Sequence, residues 1–221
     1  MEALKALTQQ QYDEFWRDGF LVVDNAVTRV LLQRLQKTFD DWVSESCAYT
    51  EPYGTTINDQ PRFDLEVSHC AESPALRRVN APIEISESYY EVMASSRMTD
   101  CVNDLIGPNL KFHHSKVNSK LPGGNTEVKW HQDFTFTPHT NDDVVTALLM
   151  VDDVTQENGP LEVAPGSHLG PLHSLWHNGA FTGAVDDQVA TDARASSSIC
   201  LGAAGSVCLM HTRLMHGSQA N

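Results

Sequence analysis

The half of the chain that follows Pro108 consists of short β-type segments separated by turn residues, and this alternation constrains the fold more than any other feature. Five segments are predicted strands: 110–121, 128–136, 144–151, 161–164 and 206–215. Turn residues separate several of them, at Pro122-Gly123-Gly124, Glu157-Asn158-Gly159-Pro160 and Pro165-Gly166. Regularly spaced short strands are typical of double-sheet β structures. We therefore predict a mainly β fold with flanking helices and a double-stranded β-helix core, that is, a cupin-like jelly roll.

Helical patterns dominate the first 108 residues. Three helices are predicted from apolar residues at helical spacing: 8–17, 28–43 and 86–106. A short strand is predicted at 20–23, and the stretch 48–61 is predicted as a loop because it shows little periodicity. We expect a single domain, in which a helical N-terminal part at about 1–108 packs outside a jelly-roll core at about 109–221.

The charge balance limits the kinds of partner that the chain is expected to bind. The chain has 15 basic and 29 acidic residues, which gives a formal net charge of −14 at pH 7. An acidic chain is poorly suited to nucleic acid or to an anionic membrane surface, whereas a small anionic ligand needs only one local basic group. We therefore expect a small-molecule substrate as the partner, with no nucleic acid and no membrane.

The cysteines and the apolar runs indicate the compartment. Five cysteines are scattered along the sequence without a CxxC pair, which fits free thiols in a reducing compartment better than a disulfide framework. No apolar run reaches the length of a transmembrane helix, and the first residues lack the apolar core of a secretory signal. We expect a cytoplasmic protein.

A candidate metal site begins in the predicted strand at 128–136. His131 and Asp133 are two residues apart, a spacing that places both side chains on one face of a strand. His216 follows 85 residues after His131. Two histidines and a carboxylate on one face, with open positions opposite, suit non-haem Fe(II) that activates O₂. The HxD pair alone is a weak signal in a chain with ten histidines, but the flanking Trp130 and Phe134 and the Gly-Ser after His216 strengthen it.

Strand alternation sorts the neighbouring side chains. If the last predicted strand continues to His216, then His211 and Arg213 point to the opposite face, and His211 is the weaker ligand candidate. On the strand before Pro122, four polar residues share one face: His114, Lys116, Asn118 and Lys120. A polar face of this kind is either exposed to solvent or lines a site, and both interpretations stay open.

Several motifs together resemble the phytanoyl-CoA dioxygenase family of Fe(II)/2-oxoglutarate oxygenases. They are Trp130-His131-Gln132-Asp133, Asn158-Gly159-Pro160-Leu161, Pro165-Gly166-Ser167-His168 and His216-Gly217-Ser218, together with the opening Asp18-Gly19-Phe20-Leu21. Within the family the chain is similar to ectoine hydroxylases, because Asn118 and Lys120 precede His131 at the same distances and Thr146 stands where those enzymes have a serine. Thr137 replaces their tryptophan, which argues against ectoine as the substrate.

The resemblance implies roles for individual residues. It implies that His131, Asp133 and His216 are the catalytic centre and hold iron, and that Asn118, Thr146 and Ser218 contact 2-oxoglutarate. His114 stands where a glutamine lines the pocket, and we expect Lys116 and Phe134 to line it as well.

The resemblance also predicts an arginine that this sequence does not contain. Family members carry it about one strand beyond the histidine that matches His216, where it forms a bidentate pair with the distal carboxylate of 2-oxoglutarate. The sequence ends at Asn221, before that position, so we expect the chain to be part of a longer polypeptide. Lys116 or Lys120 could pair with a carboxylate as a point charge.

The function that the resemblance implies is that of a non-haem Fe(II)- and 2-oxoglutarate-dependent dioxygenase. Such an enzyme uses O₂ to hydroxylate an unactivated C–H bond of a small metabolite and releases succinate and CO₂; a carboxylate at Asp133 favours hydroxylation over halogenation. Two alternatives stay open. One is a cupin-like metalloenzyme without 2-oxoglutarate, in which His168, His173 or His211 would join the ligands. The other is a non-catalytic binding protein that keeps the fold.

Overall fold

The structure is a computed structural model that describes residues 3–121 and 127–221, so the predicted turn Pro122-Gly123-Gly124 lies outside the described residues. The described helices are α1 (Gln9–Asp18), α2 (Arg29–Ser46), α3 (Glu87–Ala94), α4 (Arg97–Ile106) and α5 (Asp187–Ala195). The strands are β1 (Phe20–Val23), β2 (Tyr53–Thr55), β3 (Pro61–Leu65), β4 (Leu76–Asn80), β5 (Lys116–Asn118), β6 (Val128–His131), β7 (Val145–Leu149), β8 (Leu161–Val163), β9 (Trp176–His177), β10 (Ala180–Phe181), β11 (Ser198–Cys200), β12 (Val207–His211) and β13 (His216–Ser218).

The strands form three main antiparallel sheets and one hairpin. The strand orders are β1-β12-β7, β11-β8-β13-β6 and β2-β3-β4-β5, with β9 and β10 paired alone. Neighbours in these sheets are often far apart in the sequence, as with β1 and β12 or β6 and β13, which is the connectivity of a jelly roll. The predicted mainly β fold is therefore confirmed. None of the helices in the described ranges is both long and apolar enough to cross a membrane.

The first two helices begin where the sequence predicts, and α2 continues three residues past its predicted end at residue 43. The side chain of Thr8 accepts a hydrogen bond from the N–H of Gln11, and the Gln11 side chain bonds back to the Thr8 N–H, which closes a capping box at the start of α1. Gly19 ends α1 with a φ of 82°, a conformation that glycine adopts without strain. Thr28 caps α2 through the N–H of Leu31.

The prediction of one helix over 86–106 was wrong. The helix is interrupted at Ser95 and Ser96, and the Ser96 hydroxyl accepts from the N–H of Thr99 to start α4. Serine competes for backbone hydrogen bonds inside a helix and favours caps, so two adjacent serines are a natural breakpoint.

The prediction of a loop over 48–61 was also wrong in part. It contains β2 and the first residue of β3, where Tyr53 pairs with Phe63 across the two strands. Cross-strand aromatic pairing stabilises a strand that local periodicity does not reveal. Through β4 and β5 this sheet continues into the second half of the chain, so the first half contributes strands as well as helices.

Three predicted strands are much shorter than expected: the one over 110–121 is reduced to β5, and the other two end at the candidate site. The strand predicted over 128–136 stops at His131, and the strand predicted over 206–215 stops at His211. The N–H of Leu214 bonds to the carbonyl of His211 and closes a turn before β13. Because β12 and β13 belong to different sheets, side-chain alternation cannot be followed from one to the other.

The sheet β2-β3-β4-β5 packs one face on the helices. Val79 of β4 is buried with Leu35 and Trp42 of α2, and Val117 of β5 packs against the same cluster. Successive side chains of a strand point to opposite faces, so the polar residues next to these valines point away from the helices. This places Arg78, Lys116 and Asn118 on the inner face of the jelly roll.

Candidate metal centre

The three predicted ligands converge in the structure. Nε2 of His131 lies 3.3 Å from Oδ1 of Asp133, and Nε2 of His216 lies 3.6 Å from the same oxygen. One ligand atom from each residue lies within 4.8 Å of the other two. Across residues 3–121 and 127–221, this is the one group of at least three His, Cys, Asp or Glu residues with such spacing. The donor atoms are therefore grouped as the ligands of a single ion would be.

A strand pair and a turn produce this arrangement. His131 is the last residue of β6 and lies directly opposite His216, the first residue of β13. Cross-strand neighbours face each other closely, so the two rings have centroids 4.2 Å apart although 85 residues separate them. Asp133 begins a 3₁₀ turn instead of continuing the strand. The turn, and not strand alternation, brings Asp133 beside the histidines.

Backbone carbonyls orient both imidazole rings. Nδ1 of His131 lies 2.7 Å from the carbonyl oxygen of Lys129, and Nδ1 of His216 lies 2.9 Å from that of Leu214. A ring that donates from Nδ1 keeps the lone pair of Nε2 for a cation. Burial, and then the neighbouring His131, lowers the pKa of His216 to about 4, so its ring is neutral near pH 7.

Asp133 is held as a carboxylate. Burial on its own would raise its pKa, but the neighbouring imidazoles of His131 and His216 hold the pKa below its usual range. The hydroxyl of Thr146 on β7 donates to Oδ2 of Asp133 at 2.9 Å, and this also lowers the pKa. Thr146 therefore occupies one carboxylate oxygen and leaves Oδ1 directed at the histidines.

Gln132, between the two ligands of the HxD motif, fixes the turn. Its side chain is fully buried. Nε2 donates to the carbonyl of Arg213 at 2.7 Å and to that of Pro171 at 3.2 Å, and Oε1 accepts from the N–H of His173 at 2.9 Å. The side chain thus ties the turn after β6 to the turn before β13, which are the two turns that carry ligands.

The polar face of β5 lines the site. Burial lowers the pKa of both His114 and Lys116, and Asp133 partly opposes this lowering, so both side chains lie in the field of the ligand carboxylate. Arg78 of β4 lies opposite Asn118, and its Nε donates to the Asn118 side-chain oxygen at 3.1 Å. Sequence reasoning missed Arg78 because its position depends on the pairing of β4 with β5. Within the described part of the chain, Lys116 makes no hydrogen bond or ion pair.

Lys120 holds the segment that follows His216. Its ammonium group donates to the Ser218 hydroxyl at 2.7 Å, to the Gly159 carbonyl at 2.8 Å and to the carbonyl of Gln219. Gly159 has a φ of 68°, and a Cβ there would lie 2.7 Å from the Gln219 carbonyl oxygen. The glycine of the Asn-Gly-Pro motif is thus needed because the backbone at Gln219 approaches it closely. Because Lys120 is fully engaged, it positions Ser218 and is not free to pair with a ligand.

Aromatic residues flank the metal ligands. The N–H of Phe134 bonds to the Thr212 carbonyl, and its half-buried side chain lies in the ligand turn. The ring of Phe136, which sequence reasoning did not single out, lies edge-on to His131 with centroids 5.5 Å apart. Phe136 stands five residues after His131 in the motif segment, which is the only sequence signal that could have indicated it.

The other candidate histidines lie elsewhere. The rings of His168 and His211 are 5.2 Å apart, and His211 packs edge-on against Trp16 of α1. Nδ1 of His211 accepts from the N–H of Arg213. This cluster is built around α1, so neither residue joins His131 in the group of converging donors.

The donor set fits a non-haem iron ion. It consists of two imidazole nitrogens and one carboxylate oxygen, and the other polar atom of each side chain is already hydrogen-bonded. Such a set favours imidazole- and carboxylate-binding metals, and two histidines with one carboxylate are the facial arrangement used for Fe(II).

Comparisons with known proteins agree with this geometry. The model of the phytanoyl-CoA dioxygenase (PhyH) family matches residues 15–221. The chain is 32% identical over 168 residues to the probable alpha-ketoglutarate-dependent hypophosphite dioxygenase of Stutzerimonas stutzeri, covering 74% of this chain and 58% of that protein. It is 27% identical over 173 residues to the ectoine dioxygenase of Sphingopyxis alaskensis, covering 73% and 50%. The chain therefore spans little more than half the length of these relatives.

A solved structure has the same fold. The crystal structure of EctD from S. alaskensis with bound Fe matches with a TM-score of 0.77 and 22% sequence identity, over 98% of this chain and 72% of that chain. This likeness establishes the jelly-roll architecture of the chain.

Proposed function

The chain belongs to the phytanoyl-CoA dioxygenase family, and on this premise we propose that it carries the active centre of a non-haem Fe(II)- and 2-oxoglutarate-dependent dioxygenase that hydroxylates a small molecule. One observation carries the proposal: His131 Nε2, Asp133 Oδ1 and His216 Nε2 converge on one point. The remaining polar atom of each of these side chains is hydrogen-bonded to the protein. The free cysteines support the prediction of a cytoplasmic location.

The iron would be held by His131, Asp133 and His216. When bound, Fe(II) supplies the redox chemistry in which O₂ and 2-oxoglutarate are consumed, a C–H bond is hydroxylated, and succinate and CO₂ are released. The protein's part is to keep the His216 imidazole neutral and Asp133 ionised, and to hold the donor atoms of the three side chains on one side. Thr146 and the two backbone carbonyls do this by hydrogen bonding.

For 2-oxoglutarate we propose contacts with Asn118, Thr146 and Ser218, and we add Arg78. Arg78 bonds to Asn118 through Nε, and in the described residues its other guanidinium nitrogens have no hydrogen-bond partner. A guanidinium with two free nitrogens can form a bidentate pair with a carboxylate. Lys120 contributes indirectly, because it fixes Ser218.

For the substrate we propose that His114, Lys116, Phe134 and Phe136 line the pocket. The relatives named above act on hypophosphite and on ectoine, so a small molecule is the substrate class to test. Lys116, which has no partner among the described residues, offers a positive charge beside Asp133, and Phe136 offers an apolar surface beside His131.

The test is substrate-stimulated succinate formation. The protein is incubated with Fe(II), 2-oxoglutarate, O₂ and a panel of small metabolites that includes hypophosphite and L-proline, and succinate is quantified. We expect at least one compound to raise succinate formation above the substrate-free rate, and Asp133→Ala to abolish it. Asp187→Ala, which removes an exposed carboxylate on α5, should leave it intact. Metal binding without 2-oxoglutarate consumption would favour a cupin-like metalloenzyme or a binding protein instead.

A further inference from the structure

We propose that the aromatic row formed by Phe136, Phe181 and Trp176 is the substrate-binding wall of the metal centre, and that it selects substrates with an apolar body. This inference rests on the proposed function, because it assigns the row to the substrate of that same site. It adds two residues, on β9 and β10, that no sequence motif indicates.

The row is continuous from a metal ligand to the surface. The Phe136 ring lies 5.5 Å from that of His131, Phe181 lies 5.8 Å from Phe136, and Trp176 lies 5.5 Å from Phe181, all measured between centroids. Each distance is within the range of direct aromatic contact, and the rings meet edge-on. An apolar molecule that covers Phe181 and Phe136 would therefore extend towards His131.

The three rings are open to solvent. Phe136 is 46% exposed, Phe181 52% and Trp176 61%, and none of them belongs to the buried clusters of the described residues. Single exposed aromatic residues are common on protein surfaces, whereas contiguous ones indicate a binding site. The position beside the metal ligands makes a small substrate the occupant that fits.

A hydrogen-bonded hairpin presents the outer two rings. Trp176 and Phe181 are directly paired across β9 and β10, so their side chains share one face. Asn178 and Gly179 connect the strands with φ values of 52° and 78°, as a tight two-residue turn requires. The ring of His177 bonds to the Ala184 carbonyl and anchors the hairpin. The rings are thus held in place before a ligand arrives.

The hairpin is packed against the turn that carries Asp133. Gly183, just after β10, lies between the rings of Phe181 and Phe136, because a Cβ there would be 3.8 Å from the Phe181 ring and 3.9 Å from the Phe136 ring. This contact joins the hairpin to the turn that begins at Asp133, and makes the wall one surface rather than two separate patches.

The experiment measures binding of 4-fluorobenzyl alcohol, a small apolar probe, to the protein loaded with Mn(II) and 2-oxoglutarate. Paramagnetic Mn(II) broadens the fluorine resonance of a probe that binds near the metal, so the readout reports both affinity and proximity. We expect Phe181→Ala and Trp176→Ala each to weaken probe binding roughly fivefold, and Phe181→Leu to weaken it less, because leucine keeps apolar area. Tyr90→Ala removes an aromatic ring of similar exposure, 53%, on α3 and is the matched control.

The inference would be overturned if Phe181→Ala and Trp176→Ala bound the probe as tightly as Tyr90→Ala does. It would also be overturned if the probe bound without broadening of its fluorine resonance. Calorimetric binding of Mn(II) and 2-oxoglutarate, measured in the same samples, separates this failure from failure of the proposed function. If the wild-type protein binds both and the variants do not change probe binding, only the wall is wrong. If the wild-type protein binds neither, the proposed function itself is wrong.

Discussion

Each candidate metal ligand uses one polar atom in a hydrogen bond to the protein and directs its other polar atom towards the metal site. His131 and His216 use Nδ1 on backbone carbonyls, and Asp133 uses Oδ2 on Thr146. Hydrogen bonds of this kind commonly set the tautomer and orientation of metal ligands. At the scale of single residues, the site therefore depends on its supporting hydrogen bonds as much as on the ligands.

The hydroxyl of Thr146 provides the first prediction. Thr146→Val keeps the shape of the side chain but removes the hydrogen bond to Asp133, so we expect Mn(II) affinity to fall about tenfold. Calorimetric titration of Mn(II) measures this. Thr191→Val, which removes an exposed hydroxyl on α5 that bonds only to the Asp187 carbonyl, should leave the affinity unchanged. Equal affinities for the two variants would mean that Thr146 does not support the site.

Arg78 provides the second prediction. Arg78→Gln should weaken 2-oxoglutarate binding about tenfold while Mn(II) binding stays as it is, because the lost group is a carboxylate partner and not a metal ligand. Arg77→Gln removes the same charge one residue away, from a side chain that pairs with Asp64. If both variants bind 2-oxoglutarate equally well, Arg78 has no role in its recognition.

His211 gives a pH dependence of stability. Burial, with His168 nearby, lowers its pKa to about 4, whereas an unfolded chain has a histidine pKa of about 6.5. Between these values the unfolded state binds the proton, so the stabilisation is complete above pH 6.5 and is lost as the pH falls towards 4. Asp142 and Arg213 also act on this ring, in opposite directions.

The measurement compares urea unfolding of the wild type and His211→Asn at pH 7.5 and at pH 4.5. Asparagine can still accept the hydrogen bond from the Arg213 N–H. Because asparagine does not titrate, the stability of the variant should depend less on pH. We expect the wild type to lose roughly 2 kcal/mol more than the variant over this range. Identical losses would show that folding does not lower the pKa of His211.

At the scale of elements, two turns build the site. Asp133 starts the turn after β6, and His216 follows the turn after β12. Gln132 joins them through its hydrogen bond to the Arg213 carbonyl, and two further hydrogen bonds tie it to the segment of Pro171 and His173. The elements that carry the ligands are thus cross-linked by a residue that is not itself a ligand.

Gln132→Met tests this link. Methionine has a similar shape but leaves the Arg213 and Pro171 carbonyls and the His173 N–H without this partner, so we expect a loss of about 3 kcal/mol in the free energy of unfolding. Mn(II) affinity should fall as well, because the Asp133 turn is released. Gln36→Met breaks one hydrogen bond, to the Val151 carbonyl, and should cost less without altering Mn(II) binding. A destabilised Gln132→Met protein with normal Mn(II) affinity would contradict the positioning role.

Local patterns predicted the elements that depend on local interactions. The predicted bounds of α1 and α2 lie within a few residues of the observed ones, because the contacts that cap these helices at Thr8, Thr28 and Gly19 join near neighbours in the chain. The strand pairs β2–β3 and β9–β10 were missed, because each is short and is stabilised by its partner.

The candidate site was predicted for a reason that is only partly correct. His131, Asp133 and His216 do converge, but alternation along continuous strands was the wrong explanation for Asp133 and for the choice of His216 over His211. The motifs indicated which residues meet, whereas the turns that make them meet depend on long-range contacts such as those of Gln132. Arg78 and the rings of β9 and β10 could not be found for the same reason.

At the scale of the whole molecule, the inner face of the jelly roll differs from the rest of the acidic chain. The net charge is −14, yet Arg78 and Lys116 lie on this inner face, with Lys116 close to Asp133. Positive groups in an otherwise acidic protein attract small anions such as dicarboxylates to one place. The distribution of charge therefore agrees with binding of 2-oxoglutarate beside the metal.

The most direct measurement is calorimetric titration of 2-oxoglutarate into the protein with and without Mn(II), for the wild type, His216→Ala and His139→Ala. His139 is an exposed histidine outside the group of converging donors. We predict metal-dependent binding of one 2-oxoglutarate to the wild type and to His139→Ala, and loss of that binding in His216→Ala. Undiminished metal-dependent binding to His216→Ala, or none to the wild type, would contradict a metal centre built on His131, Asp133 and His216.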